Sequence, residues 1–129
     1  MPQKIEIIAE NIQVEADLND SPTAKSIIII LPIEALAQRW GGEIYFSVSA
    51  QGKLEAGSRD VLVAGELGYW PPGSAFCIFF GPTPSSQCDE IRAASAVNVI
   101  GKMKGDWSGL WDVPSGGRIV IKATEGANE

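Results

Sequence analysis

GELGYWPPGSAFCIFFGPTP, residues 65–84, decides the fold. Phe76 to Phe80 is apolar without a break and reads as a β-strand covered on both sides or set in a barrel wall. Pro71-Pro72-Gly73 before it and Pro82-Thr83-Pro84 after it stop strand pairing at both ends. Upstream, EIYFSVSA (43–50) alternates, with Ile44, Phe46 and Val48 on one face and Glu43, Tyr45 and Ser47 on the other. Downstream, Val97 to Met103 reads as a further strand.

Turn signals divide the rest of the chain. Lys4–Ala9 and Asn11–Ala16 form a hairpin across Glu10-Asn11. Ser21 as a cap with Pro22 in the first turn starts a helix that Pro32 stops. Its apolar face is Ala24, Ile27, Ile28 and Leu31. The alternative for Ile27 to Ile30 is a buried strand. Residues 33–40 read as a short helix or an irregular strand, 51–60 as a loop, and Val61–Ala64 as a short strand. Asp106 caps one helical turn through Leu110 and Trp111, and Gly116-Gly117 leads into a last strand, Arg118–Ala123.

Isoleucine and valine total 23 against 7 leucines, which favours sheet over a helix bundle. About eight short strands and two short helices fit a closed β-barrel, because closure removes exposed edges. A sandwich is the alternative. With 129 residues, 45% hydrophobic and 20% charged, the chain reads as a single domain over residues 1–129.

Composition also excludes functions. Histidine is absent, so there is neither a Ser-His or Cys-His nucleophile pair nor an imidazole metal site. A net charge of −6 opposes phosphate-backbone binding, so nucleic acid is not an expected partner. No apolar run approaches the ~18 residues of a membrane span, and the first residues lack an apolar signal core, so the expected location is cytoplasmic. Cys77 and Cys88 are eleven apart without a CxxC, and two free thiols are expected, with a disulfide as the other reading. The Gly-Gly and Gly-Asp pairs match neither a dinucleotide fingerprint nor a P-loop. No cofactor and no metal are expected.

Taken with EIYFS before it and ASAVNVIGK after it, the run GELGYWPPGSAFCIFFGPTP resembles the small prokaryotic cyclophilin-like proteins of unassigned function. The likeness spans roughly residues 4–123 in order and spacing. It implies a mainly β fold, a closed eight-stranded cyclophilin-like barrel with a helix at each mouth. True cyclophilins isomerise X–Pro bonds, a barrier of ~18–20 kcal/mol with no covalent bond made or broken. On that resemblance their active-site histidine would fall near Val97, their pocket tryptophan near Arg92, and their catalytic arginine at Tyr69 or Trp70.

The candidate ligand-binding residues are therefore rings, amides and one acid: Glu43, Tyr45, Tyr69, Trp70, Phe80, Ser95 and Asn98. Tyr69 and Trp70 beside a rigid Pro-Pro turn offer a platform for an extended or proline-containing peptide. The structural alternative is that Trp70 closes the barrel end. Glu43 is the charged contact if its strand face lines a pocket, and an ordinary solvated carboxylate if it does not. Phe79 and Phe80 point to opposite sides, one into the core and one towards a groove. Ser95 and Asn98 can bond a peptide backbone or satisfy loop groups. Arg39, Arg59 and Arg92 are candidates to replace the missing catalytic cation. Trp107 and Trp111, four apart and so on one face if helical, read as core or barrel-mouth packing. The functional expectation is a non-catalytic module that binds a small ligand or peptide in an aromatic groove. The alternatives are a weak prolyl isomerase and a structural or interaction subunit. The sequence does not fix the oligomeric state.

Overall fold

The structure is a computed structural model and describes residues 3–124. β1 (Gln3–Ala9) and β2 (Ile12–Leu18) form the expected hairpin in continuous register, turning at Glu10, whose φ is +55°. The helix α1 (Pro22–Ile29) begins where the sequence places it, with the Ser21 hydroxyl accepting from the Ala24 N–H, one of the orphan donors of the first turn. Ala24 and Ile27 are buried, and Ile28, Ile30 and Leu31 pack partly against the same core. The remaining strands are β3 (Ile33–Leu36), β4 (Gln38–Arg39), β5 (Glu43–Ser47), β6 (Arg59–Leu62), β7 (Glu66–Trp70), β8 (Ala75–Phe79), β9 (Ile91–Lys104) and β10 (Arg118–Ala123).

The expected barrel needs correction in three respects. The sheet has ten strands rather than eight, it is not closed, and a 3₁₀ segment, Ser108–Asp112, stands in place of a second helix. The N-cap of that segment is Trp107 rather than the expected Asp106, whose side chain accepts from the Ser108 N–H in a local turn ahead of it. The hydrogen-bonded path runs β3-β10-β1-β2-β9-β7-β8-β5-β4, with β6 attached to β9. Its free ends, β3 and β4, are consecutive pieces of the segment read as a short helix or irregular strand, divided at Ala37. β3 pairs with β10, and Ala37 keeps bonding to Gly116 and Gly117 just ahead of that strand. Only Gln38 and Arg39 cross over to β5. The backbone groups that would complete a cylinder are thus shared between two neighbours, and no ladder joins β3 to β5 among the described residues.

Two hydrophobic cores lie on opposite faces of the central strands. The larger takes Ile44 and Phe46 from β5, Leu67 and Tyr69 from β7, and Phe76 and Ile78 from β8, together with the inner faces of β1, β2 and β10. The smaller takes Ala75, Cys77 and Phe79 from β8, with Leu62 from β6 and Ile91, Ala93 and Val97 from β9. Phe46 and Phe76, cross-strand partners, stack at 5.4 Å. β8 is buried at every residue, as its unbroken apolar run requires.

The turn that feeds β5 is tightly set. Gly41 has φ +62°, and a Cβ at Gly42 would lie 2.3 Å from the Gly81 carbonyl carbon. Gly42 also donates to Pro82 O and accepts from the Phe80 and Gly81 N–H groups. Gly42→Ala therefore forces two backbones apart, and we expect a loss of about 1–3 kcal/mol. Urea unfolding should show a lower midpoint at unchanged slope. An unchanged midpoint would mean that the turn can yield.

Candidate functional site

Strand register builds a cavity on the face of the smaller core. Tyr45 sits opposite Cys77 and Glu43 opposite Phe79, so these four side chains share one face of the β5–β8 pair. Trp70, at the end of β7 opposite Ala75, adds an indole to that face. Trp40 arrives across the Gly41-Gly42 turn, which is closed by the Trp40 N–H to Glu43 O (2.9 Å) and the Glu43 N–H to Trp40 O (3.2 Å). The opposite wall is Ala93, Ala94 and Val97 of β9. There the β6–β9 ladder slips: β6 advances two residues from Arg59 to Val61 while β9 covers five from Arg92 to Val97. β9 thus carries surplus residues at this point, a bulge in the ladder. The space is a half-open hollow of about 140 Å³ and its lining is almost wholly apolar. An engineered apolar cavity of about 150 Å³ is large enough to hold benzene.

One ionisable acid faces this space. Glu43 is only 5% exposed, and none of the ion pairs among the described residues involves it. Burial pushes its carboxyl up to about 7, and a hydrogen bond with the Cys77 thiol offsets only part of that. The Cys77 thiol is itself pushed well up, first by burial and then by the neighbouring Glu43 charge. No cation lines the cavity.

The structure brings some of the sequence candidates together and separates the others. Glu43, Tyr45 and Trp70 line the cavity, and Ser95 holds its rim by accepting from the Trp70 indole N–H at 2.6 Å. Tyr69 points the other way into the main core, where its hydroxyl donates to Ala50 O. Phe80 is also in the main core, edge-on to Trp111 at 4.9 Å, and Phe79 is fully buried in the smaller core, so neither phenylalanine lines the cavity. Asn98 is buried and committed: its amide donates to Thr23 Oγ1 and Lys53 O and accepts from the Glu55 N–H. It ties the 51–58 loop to α1. Trp40, Cys77, Ala93, Ala94 and Val97 were not among the candidates. The Trp40-Gly41-Gly42-Glu43 hairpin and the period-two pattern through Cys77 were the signals available for the first two.

The arginines considered as replacement cations are engaged elsewhere. Arg39 donates to the carbonyls of Gly41, Trp111 and Val113 and lies over the Phe80 and Trp111 rings. Arg59 pairs with Glu66, and Arg92 with Glu90 and Asp60. Trp107 and Trp111 do not act as one face: Trp107 lies against Gly65 and Trp111 against Gly81. Cys77 and Cys88 are free thiols, one buried and one exposed. Among the described residues no group of three potential metal ligands occurs, and no helix is long and apolar enough to cross a membrane.

Residues 3–122 match the cyclophilin-like family, and the chain belongs to it. It is also similar to the solution structure of a hypothetical protein from Archaeoglobus fulgidus, at 40% identity and a TM-score of 0.82 over 95% of each chain. No curated protein matches the chain. The resemblance read from the Tyr-Trp-Pro-Pro-Gly segment is thereby established at the level of a family of unassigned function.

Buried Glu43 makes a prediction about pH. The folded chain holds this proton to higher pH than the unfolded chain, whose glutamate titrates near 4.5. The native state therefore binds more protons between about pH 4.5 and 7, and stability falls as pH rises through that window. The expected loss by about pH 8 is on the order of 2–3 kcal/mol. Glu43→Gln should remove most of this decline and be the more stable chain at about pH 8, as read by urea unfolding at both ends of the window. Parallel pH profiles for the two chains would place the Glu43 carboxyl in contact with water.

Proposed function

We propose that this protein is a binding module whose ligand, a small molecule or the side chain of a peptide, enters the cavity between β5, β7, β8 and the bulge of β9. The observation that carries this reading is the convergence of three aromatic residues and one buried carboxylate from separate elements on one concave space. A side chain serving only to pack would not leave room beside it, since interiors are close-packed. The Trp70–Ser95 hydrogen bond sets the indole before any ligand arrives, and preorganisation of this kind reduces the ordering cost of binding.

A binding role also fits what surrounds the cavity. Val97, near which the cyclophilin likeness places the histidine, and Trp70, one of the two residues it offers for the arginine, line it with an aliphatic and an aromatic side chain. Neither supplies a cation to the prolyl nitrogen. The favoured chemistry is therefore recognition by shape, aromatic contact and one carboxyl group.

A ligand-detected NMR screen with small metabolites and proline peptides tests the proposal. Hits should shift the indole resonances of Trp40 and Trp70, and Trp70→Ala should weaken them by at least about tenfold, or ~1.4 kcal/mol. Because Trp70 is half-buried and outside the main core, the variant should still fold. A screen without hits near Trp70 would sink the reading. In a protease-coupled assay the expected prolyl isomerisation rate is the uncatalysed one. Saturable turnover that Trp70→Ala abolishes would replace binding by catalysis.

A further inference from the structure

The composition of the cavity wall selects among ligand classes. Trp40, Tyr45 and Trp70 come from three different elements and share one space, and each offers a ring with a negative face. Glu43 adds a carboxylate that is nearly inaccessible and lacks an ion-pair partner among the described residues. A purely apolar occupant would leave the Glu43 carboxyl protonated and without a partner, and would draw nothing from it. An anion would meet like charge with no cation in the wall. A cation would gain from both the rings and the carboxylate, and the net charge of −6 would draw it in from solution.

We propose that the cavity is a receptor for a small organic cation, a quaternary or methylated ammonium group, with Glu43 as its counter-ion and Trp40, Tyr45 and Trp70 as its walls. This rests on the binding reading above and names the ligand class for the same site. The volume of about 140 Å³ admits a group near the size of benzene, so the head of the ligand enters and any chain attached to it stays outside. Exchanging the three N–H donors of a primary ammonium for methyl groups suits a wall with few acceptors: Ala93, Ala94, Val97 and the ring faces offer none.

The proposal links binding to proton release. The ligand needs the charged form of Glu43, so occupancy should drive the carboxyl to ionise. Cys77 from β8 and Tyr45 from β5 are the other titratable groups in the lining, and β9 contributes only alanine and valine there. Affinity should therefore follow one ionisation and decline as pH is lowered from about 8 to 6.

The test compares choline with its neutral isostere 3,3-dimethylbutan-1-ol, using NMR titration of the full chain to about 10 mM, where affinities near −4 kcal/mol are still visible. Choline should shift the Trp40 and Trp70 indole signals and bind at least about tenfold tighter than the isostere. Glu43→Gln, which should fold at least as stably as the natural chain, should lose at least about tenfold in choline affinity while Trp70→Ala loses binding altogether. Equal binding of the two isosteres, or choline binding unchanged in Glu43→Gln, would overturn the cation assignment and leave a receptor for neutral ligands. Absence of any choline shift overturns it as well, and the broader screen then decides whether the cavity receives anything. If that screen also fails, the binding reading falls with it.

Discussion

Every side chain from Ala75 to Phe79 is buried, and successive ones leave β8 in opposite directions. The strand is held between β5 and β7 by continuous antiparallel ladders, so its register fixes that of both neighbours. Phe76 and Ile78 supply the main core, and Cys77 and Phe79 the smaller one. Burial of a large apolar side chain contributes about 1.5–3 kcal/mol, so a one-residue slip would forfeit several such contributions at once. Both the packing and the cavity follow from holding this strand in place.

The cavity exists because the smaller core is incomplete. Leu62 of β6 and Ile91 of β9 join Phe79 in that core, but the ladder slips before Val97 and a hollow is left beside Glu43 and Tyr45. Gly68 contributes at this point: a Cβ there would stand 2.9 Å from the Val97 side chain, so its absence lets β9 settle close to β7. The acid is thus held at the edge of an apolar layer, dry enough to resist ionisation. A chain that needed only stability would gain by placing an isoleucine at that position.

Much of this was legible in the chain itself. The alternation of EIYFS put Glu43 and Tyr45 on one face, and Ser21-Pro22 located the helix start. The same period-two rule separates Tyr69 from Trp70, yet the adjacency of the two rings suggested a single patch, and Tyr69 belongs to the core. Asn98 looks like a ligand contact in sequence because its partners, Thr23, Lys53 and Glu55, are some 43 to 75 residues away. The mistaken closure has a similar cause. Alternation shows which face of a strand is buried, but not which strand edge finds a partner. IEALAQR divides its edges at Ala37, a residue with no local signal for a change of neighbour. The β9 bulge is invisible for the same reason, since AASA fits a regular strand as well as an irregular one.

The two ends of the main strand path, β3 and β4, keep rims of backbone donors and acceptors that could recruit a strand from another molecule. Both rims are poor templates here. One is four residues long, begins just after Pro32 and carries Glu34 paired with Arg118. The other is two residues long, and its Arg39 side chain is already spent on three nearby carbonyls. Short, charged and proline-flanked rims are the means by which sheet proteins avoid amyloid-like stacking. The fold therefore forgoes the protection of a complete cylinder and guards its seam with side chains, which makes the stretch 32–39 the place where a careless substitution would cost solubility before it cost stability.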